Sequence, residues 1–114
     1  MTREDVLTIY DGLIAGHSDL RRKGKANAYT ALNGNMFSFV GPDAELCIRL
    51  SKEDIARYGI NFDASPVIRY GSVMNGYVAV SEALLRDPDE LSLWFDRSVE
   101  FARALPVKAT TKKK

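Results

Sequence analysis

The chain has 114 residues, 46% hydrophobic and 27% charged, which suits one globular domain and excludes disordered and fibrous classes. Net charge is +1, but Lys108, Lys112, Lys113 and Lys114 follow Pro106; without them 12 basic residues face 15 acidic ones, which argues against a broad phosphate-tracking surface. The single cysteine, Cys47, rules out an intrachain disulfide, and the single histidine, His17, leaves no conventional zinc ligand set.

In chain order, Thr2 and Asp5 predict a capped start to a first helix. Val6, Ile9, Tyr10, Leu13 and Ile14 then form an apolar stripe at helical spacing. Gly16 is expected to end it, and 17–25 reads as a polar, basic connecting loop. From Ala26 the period shifts to two. Asn33-Gly34 is a strong type I′ hairpin signal, because both residues tolerate positive φ, and it joins strands predicted over 27–32 and 35–40. Gly41-Pro42-Asp43 supplies the next turn. A third strand over 45–50 sets Leu46, Ile48 and Leu50 on one face and Cys47 and Arg49 on the other.

Ser51, Glu53 and Asp54 open a short helix carrying Ile55 and Tyr58, which Gly59 is expected to close. A loop covers 61–65, Pro66 precedes a strand over 67–70, and Asn75-Gly76 turns the chain into a strand over 77–80. The stretch from Gly71 to Gly76 has neither the context nor the lysine of a phosphate loop, and reads as a flexible hairpin connection. After a linker comes the longest helix. Asp87 is its cap, Pro88 fits its first position, and Glu90 stands where a capping-box carboxylate reaches back. Leu91, Trp94, Phe95, Ala102 and Leu105 fall at three- and four-residue steps, and Pro106 stops the run. The predicted order is α-β-β-β-α-β-β-α. That is an α+β domain, with an antiparallel sheet of about five strands and helices packed on one face. Residues 1–106 are expected to form a single domain and 107–114 a mobile basic tail. No apolar run approaches the ~20 residues of a membrane span, and the N-terminus lacks a secretory pattern. A cytoplasmic location without a membrane partner is expected.

Four segments carry a family resemblance: G-N-M-F-S-F-V at 34–40, L-C-I-R-L at 46–50, M-N-G-Y-V-A-V at 74–80, and L-L-R-D-P-D-E-L-S-L-W at 84–94. Together they resemble the N-terminal domain of the TfoX/Sxy family over nearly the whole chain. Met74, Gly76 and Tyr77 at one turn, and Asp87, Leu91 and Trp94 at the helix start, are the most specific matches. The resemblance implies a small α+β domain of the YjbR/TfoX-like, secretion-chaperone-like type, in which dimers are common. It also implies a regulatory role, as in bacterial competence regulators that act with the transcription machinery. It implies no catalytic residues and no cofactor.

Residues able to carry chemistry are few. His17, Ser18 and Asp19 are the residue types of a hydrolytic triad, but adjacent positions do not give triad geometry and no Gly-x-Ser-x-Gly elbow exists. Cys47 is expected to be a small buried hydrophobe; Arg49 can lower its pKa if both side chains share a face. Asp87, Asp89 and Glu90 suit helix capping better than acid–base work or Mg²⁺ binding. Arg21, Arg22, Lys23 and Lys25, with Tyr29 just beyond, form the leading candidate surface. It reads as a phosphate contact with Tyr29 as stacking platform, as a solvated loop, or as a seat for an acidic partner. Leu93 and Phe101 lie off the buried stripe of the last helix and are expected to form an exposed apolar patch for a subunit or partner. The expectation is a non-enzymatic regulatory module, with no catalytic, cofactor or metal residues, that acts through a protein partner or as a homodimer. The alternatives are nucleic-acid association through the basic loop and lysine tail, and small-molecule binding in a sheet–helix pocket.

Overall fold

The computed structural model describes residues 1–24, 27–69 and 71–107. Lys25 and the expected tail beyond Val107 lie outside the described residues. Helix α1 spans Arg3–Ala15, and its first turn is capped reciprocally: the Thr2 hydroxyl accepts from the Asp5 N–H and the Asp5 carboxylate from the Thr2 N–H. Its stripe buries Val6, Tyr10 and Ile14. Strands β1 (Ala28–Leu32) and β2 (Asn35–Val40) meet at Asn33 and Gly34, whose φ values of 53° and 78° are those a type I′ turn demands. Strand β3 (Leu46–Arg49) completes the meander. Leu46 and Ile48 join the main core while Cys47 joins a second cluster behind the sheet.

One irregularity in the meander organises the interior. Thr30 pairs with Ser38 but Ala31 pairs with Met36, so Phe37 is an extra residue in β2. A bulge of this kind sets two residues of one strand against one of the other. Phe37 enters the main core, and Ser38 also turns to the helix side, within 2.7 Å of the buried Tyr10 hydroxyl. Thr30 completes this trio of buried hydroxyls, 3.4 Å from Tyr10 and hydrogen-bonded to Ser38. They hydrogen-bond one another.

Helix α2 (Lys52–Asn61) is capped by Ser51, and Gly59 does not close it. A glycine inside a formed helix costs about 1 kcal/mol, and the end is set further on, where the Phe62 N–H donates to the Tyr58 carbonyl and the two rings meet at 4.9 Å, tilted by 34°. Next come β4 (Ile68–Arg69), β5 (Ser72–Val73) and β6 (Tyr77–Ala79). The main sheet is four-stranded and antiparallel, in the order β1-β2-β3-β6. The strand expected over 67–70 is not part of it. Strand β4 pairs with β5 in a separate two-stranded ribbon, because a partner three residues away closes the shorter loop. The expected linker before the last helix holds a short helix, α3 (Glu82–Leu85), which is capped by Ser81 and buries Leu84 and Leu85. The observed order therefore gains one strand and one helix over the predicted one.

Helix α4 (Pro88–Ala104) lays Leu91, Trp94, Phe95, Ser98, Val99 and Ala102 into the core and packs on β1, β2 and β3. Its Phe95 ring meets Tyr10 edge-on at 6.4 Å and Phe37 at 6.2 Å. Ser98 donates to the Arg49 carbonyl at 2.6 Å, tying the helix to β3. Asp87 caps the helix as expected, but Glu90 does not reach back to it. Its carboxylate accepts instead from the Trp94 indole N–H at 2.8 Å, since a largely buried indole needs an acceptor.

Replacing Tyr10 by Phe removes the hydroxyl that hydrogen-bonds both Thr30 and Ser38. A loss of about 1–2 kcal/mol is expected, read from urea unfolding midpoints with the circular dichroism spectrum unchanged.

Candidate functional site

The core-facing stripe of α4 leaves Leu93, Asp96, Arg97 and Glu100 on the outer side of the helix. With Phe101 and with Ser51 and Asp54 at the start of α2, they line an open groove of about 530 Å³. Leu93 is 59% exposed. Phe101 shares the groove but is half-buried, and the Arg49 guanidinium lies over its ring at 5.4 Å. The expected Leu93–Phe101 patch is thus one bare leucine beside a partly covered aromatic ring. The groove lining is mostly acidic, with Asp54, Asp96 and Glu100 beside the single base Arg97. Asp54 accepts from Arg97 at 3.1 Å and from Arg57 at 3.3 Å, Arg97 also lies over Trp94, and Glu100 sits 3.5 Å from Arg103.

The residue types of a triad are drawn apart. His17 Nε2 lies 2.8 Å from Asp96 Oδ1, with its ring against Phe95 at 5.8 Å. Asp19 instead holds both Nη atoms of Arg103, and that hydrogen-bonded guanidinium keeps its carboxyl below the usual range. Both residues brace the loop after α1 against α4.

Arg21, Arg22 and Lys23 are exposed, and Arg22 pairs with Asp11 at 3.3 Å. The Lys23 and Tyr29 main chains exchange two hydrogen bonds, 2.8 and 3.0 Å long, which fasten the loop along β1. Tyr29 is not a free stacking platform. It is half-buried against the second cluster of Phe39, Cys47, Val67 and Tyr77, beside an apolar pocket of about 80 Å³ that Met36 and Met74 also line. Alternation along β1 points its ring behind the sheet, where Val67 and Met74, either side of the β4–β5 ribbon, are neighbours that lie far off in sequence.

Cys47 is fully buried, and burial pushes its thiol up to about 12. The guanidinium found against the sulfur is that of Arg69, at 3.9 Å, which also ion-pairs with Glu45. A second opening, about 300 Å³, separates the base of the ribbon from the edge of β6, and Glu45, Asp63, Ser65, Arg69 and Ser81 contribute its polar groups. Nothing in the linear sequence marks these five as neighbours. Asp63 is held below its usual range by accepting from the Ser65 hydroxyl and N–H. Among the described residues, no group of three or more His, Cys, Asp or Glu side chains is placed to hold a metal ion. Nor is any helix among them long and apolar enough to cross a membrane.

No protein-family model matches the chain, and no curated protein matches it.

Burial also pushes the phenols of Tyr10, Tyr58 and Tyr77 up to about 12, from an ordinary 10.0, alongside Cys47 from 9.0. The unfolded chain loses these protons first, so the folded state binds more protons between pH 9 and about 12. Stability should be full below the lower of these values and fall as pH rises through the window. Urea midpoints measured across an alkaline series will show whether it does.

Proposed function

We propose that this chain is a non-enzymatic regulatory module of the cytoplasm. It acts by contact with another protein, as its resemblance to the TfoX/Sxy N-terminal domain implies, and a second copy of itself is among the partners. The observation that carries this reading is Leu93, standing bare at the lip of the α2–α4 groove with Phe101 half-covered inside it. Covering the exposed part of this leucine stabilises a contact by about 1–2 kcal/mol, and the ion pairs around it give a partner register rather than bulk attraction. The residues with catalytic potential support the same reading by their engagements. His17 and Asp19 brace α4, Asp87 caps it, and Cys47 is sealed inside.

The experiment is Leu93→Glu, assayed by partner capture from the native cell with light scattering on the same sample. Association should weaken about 10-fold or more, while stability stays within about 0.5 kcal/mol because the site is exposed. Undiminished capture and unchanged mass would end this reading.

The exposed row of Arg21, Arg22 and Lys23 favours a second reading, a nucleic-acid-associated module. On that reading DNA affinity falls steeply with salt, and neutralising Arg21 and Arg22 lowers the slope by about one each. A titration in which affinity ignores salt removes it.

A further inference from the structure

We propose that Arg49 is an anion anchor beside the α2–α4 groove, taking the carboxylate of a ligand whose apolar part lies on Phe101 and Leu93. The assignment rests on reading that groove as a docking surface, and it specifies what docks there.

Most arginines packed against the body of the fold are neutralised. Arg57, Arg69, Arg97 and Arg103 each hold a carboxylate. Arg49 holds none among the described residues, and its Nε is the buried side-chain nitrogen there that lacks a hydrogen-bond partner. The group is nevertheless fixed in place. Its carbonyl accepts from Ser98 at 2.6 Å, its guanidinium lies over Phe101, and its stem runs beside Gly76. A methyl group on Gly76 would come within 3.5 Å of Nε and 3.6 Å of Cγ, and the φ of 85° there already favours glycine. The Arg49 Nε is covered and unpaired while the residue as a whole is partly exposed.

A guanidinium seated on an aromatic face, oriented from behind and lacking a counter-ion, is prepared for a planar oxyanion taken by two parallel N–H groups. A chain of phosphates would have to pass Asp54, Asp96 and Glu100, which line the groove, whereas a single carboxylate can stay at Arg49 beside it and lay its apolar part on Phe101 and Leu93. The fitting partner is a protein segment that presents a carboxylate next to an aliphatic side chain.

The test uses the intact protein with three small probes: hexanoate, hexanamide and hexyl phosphate. The Arg49 Nε–H resonance is followed by NMR at constant ionic strength. Hexanoate should shift it saturably and bind about 10-fold or more tightly than hexanamide. Arg49→Lys, which keeps the charge but loses the fork, should weaken hexanoate about 10-fold, and Arg49→Met should abolish the preference over hexanamide with the fold intact by circular dichroism. Equal binding of hexanoate and hexanamide would overturn the anchor, as would an Arg49→Lys variant with wild-type affinity. Tighter binding of hexyl phosphate would overturn the choice of carboxylate. A Leu93→Glu variant with undiminished partner capture would remove the docking reading alone, and these titrations, read on the isolated protein, are independent of that result.

Discussion

The contact between α4 and the helix-facing side of the sheet is the constraint on which the other features depend. Phe95 sits at its centre, with Tyr10 from α1, Phe37 from the bulge in β2 and His17 from the loop after α1 all against its ring. Trp94 carries the same contact across to Tyr58 of α2, ring to ring at 5.3 Å. Aromatic side chains supply large buried areas and directional edge-to-face contacts, so one helix face draws three separate elements into register. Because that face of α4 is committed inward, its outer face is free to carry Leu93 and the charges around it.

The two sides of the sheet are finished differently, and this decides where a functional surface can lie. The helix side is closed by α1, α2, α3 and α4 around one apolar cluster. The other side has the smaller cluster of Phe39, Cys47, Val67 and Tyr77, with Val67 and the partly buried Met74 supplied from the base of the β4–β5 ribbon. Tyr29 belongs to that second cluster, which converts an aromatic next to a basic loop from a stacking candidate into a packing residue. Edge strand β6 is likewise engaged: the Ala79 carbonyl accepts from the Tyr58 hydroxyl at 2.8 Å and the Tyr77 N–H donates to Met74. Blunting an edge in this way limits strand-to-strand association.

Much of the architecture was legible in local sequence, and the misses share one cause. Thr2 with Asp5, Ser51, Asp87 with Pro88, and Asn33-Gly34 act within a few residues, and the structure places them as caps and a hairpin turn. Alternation along β3 separated Leu46 and Ile48 from Cys47. What escaped was competition between partners. Glu90 had a choice between the helix start and the Trp94 indole, Gly59 between ending a helix and riding inside one, and the segment after Pro66 between the sheet and a nearer strand. Each outcome was settled by a neighbour that local spacing does not reveal.

For the candidate site the division is similar. Leu93 could be placed outside by helical period alone, since a residue off the buried stripe has nowhere else to go. The environment of Arg49 could not. Its stacking on Phe101, the nearness of Gly76 and the lack of an acceptor for Nε bring together three elements spread over more than fifty positions of the chain. The sequence by itself determined where helices begin, where the first hairpin turns and which faces are apolar, because those depend on backbone preference and short-range hydrogen bonds. Only the tertiary structure decided which charges find partners and which apolar residues stay uncovered, because desolvation and pairing depend on what the folded chain brings within a few ångströms.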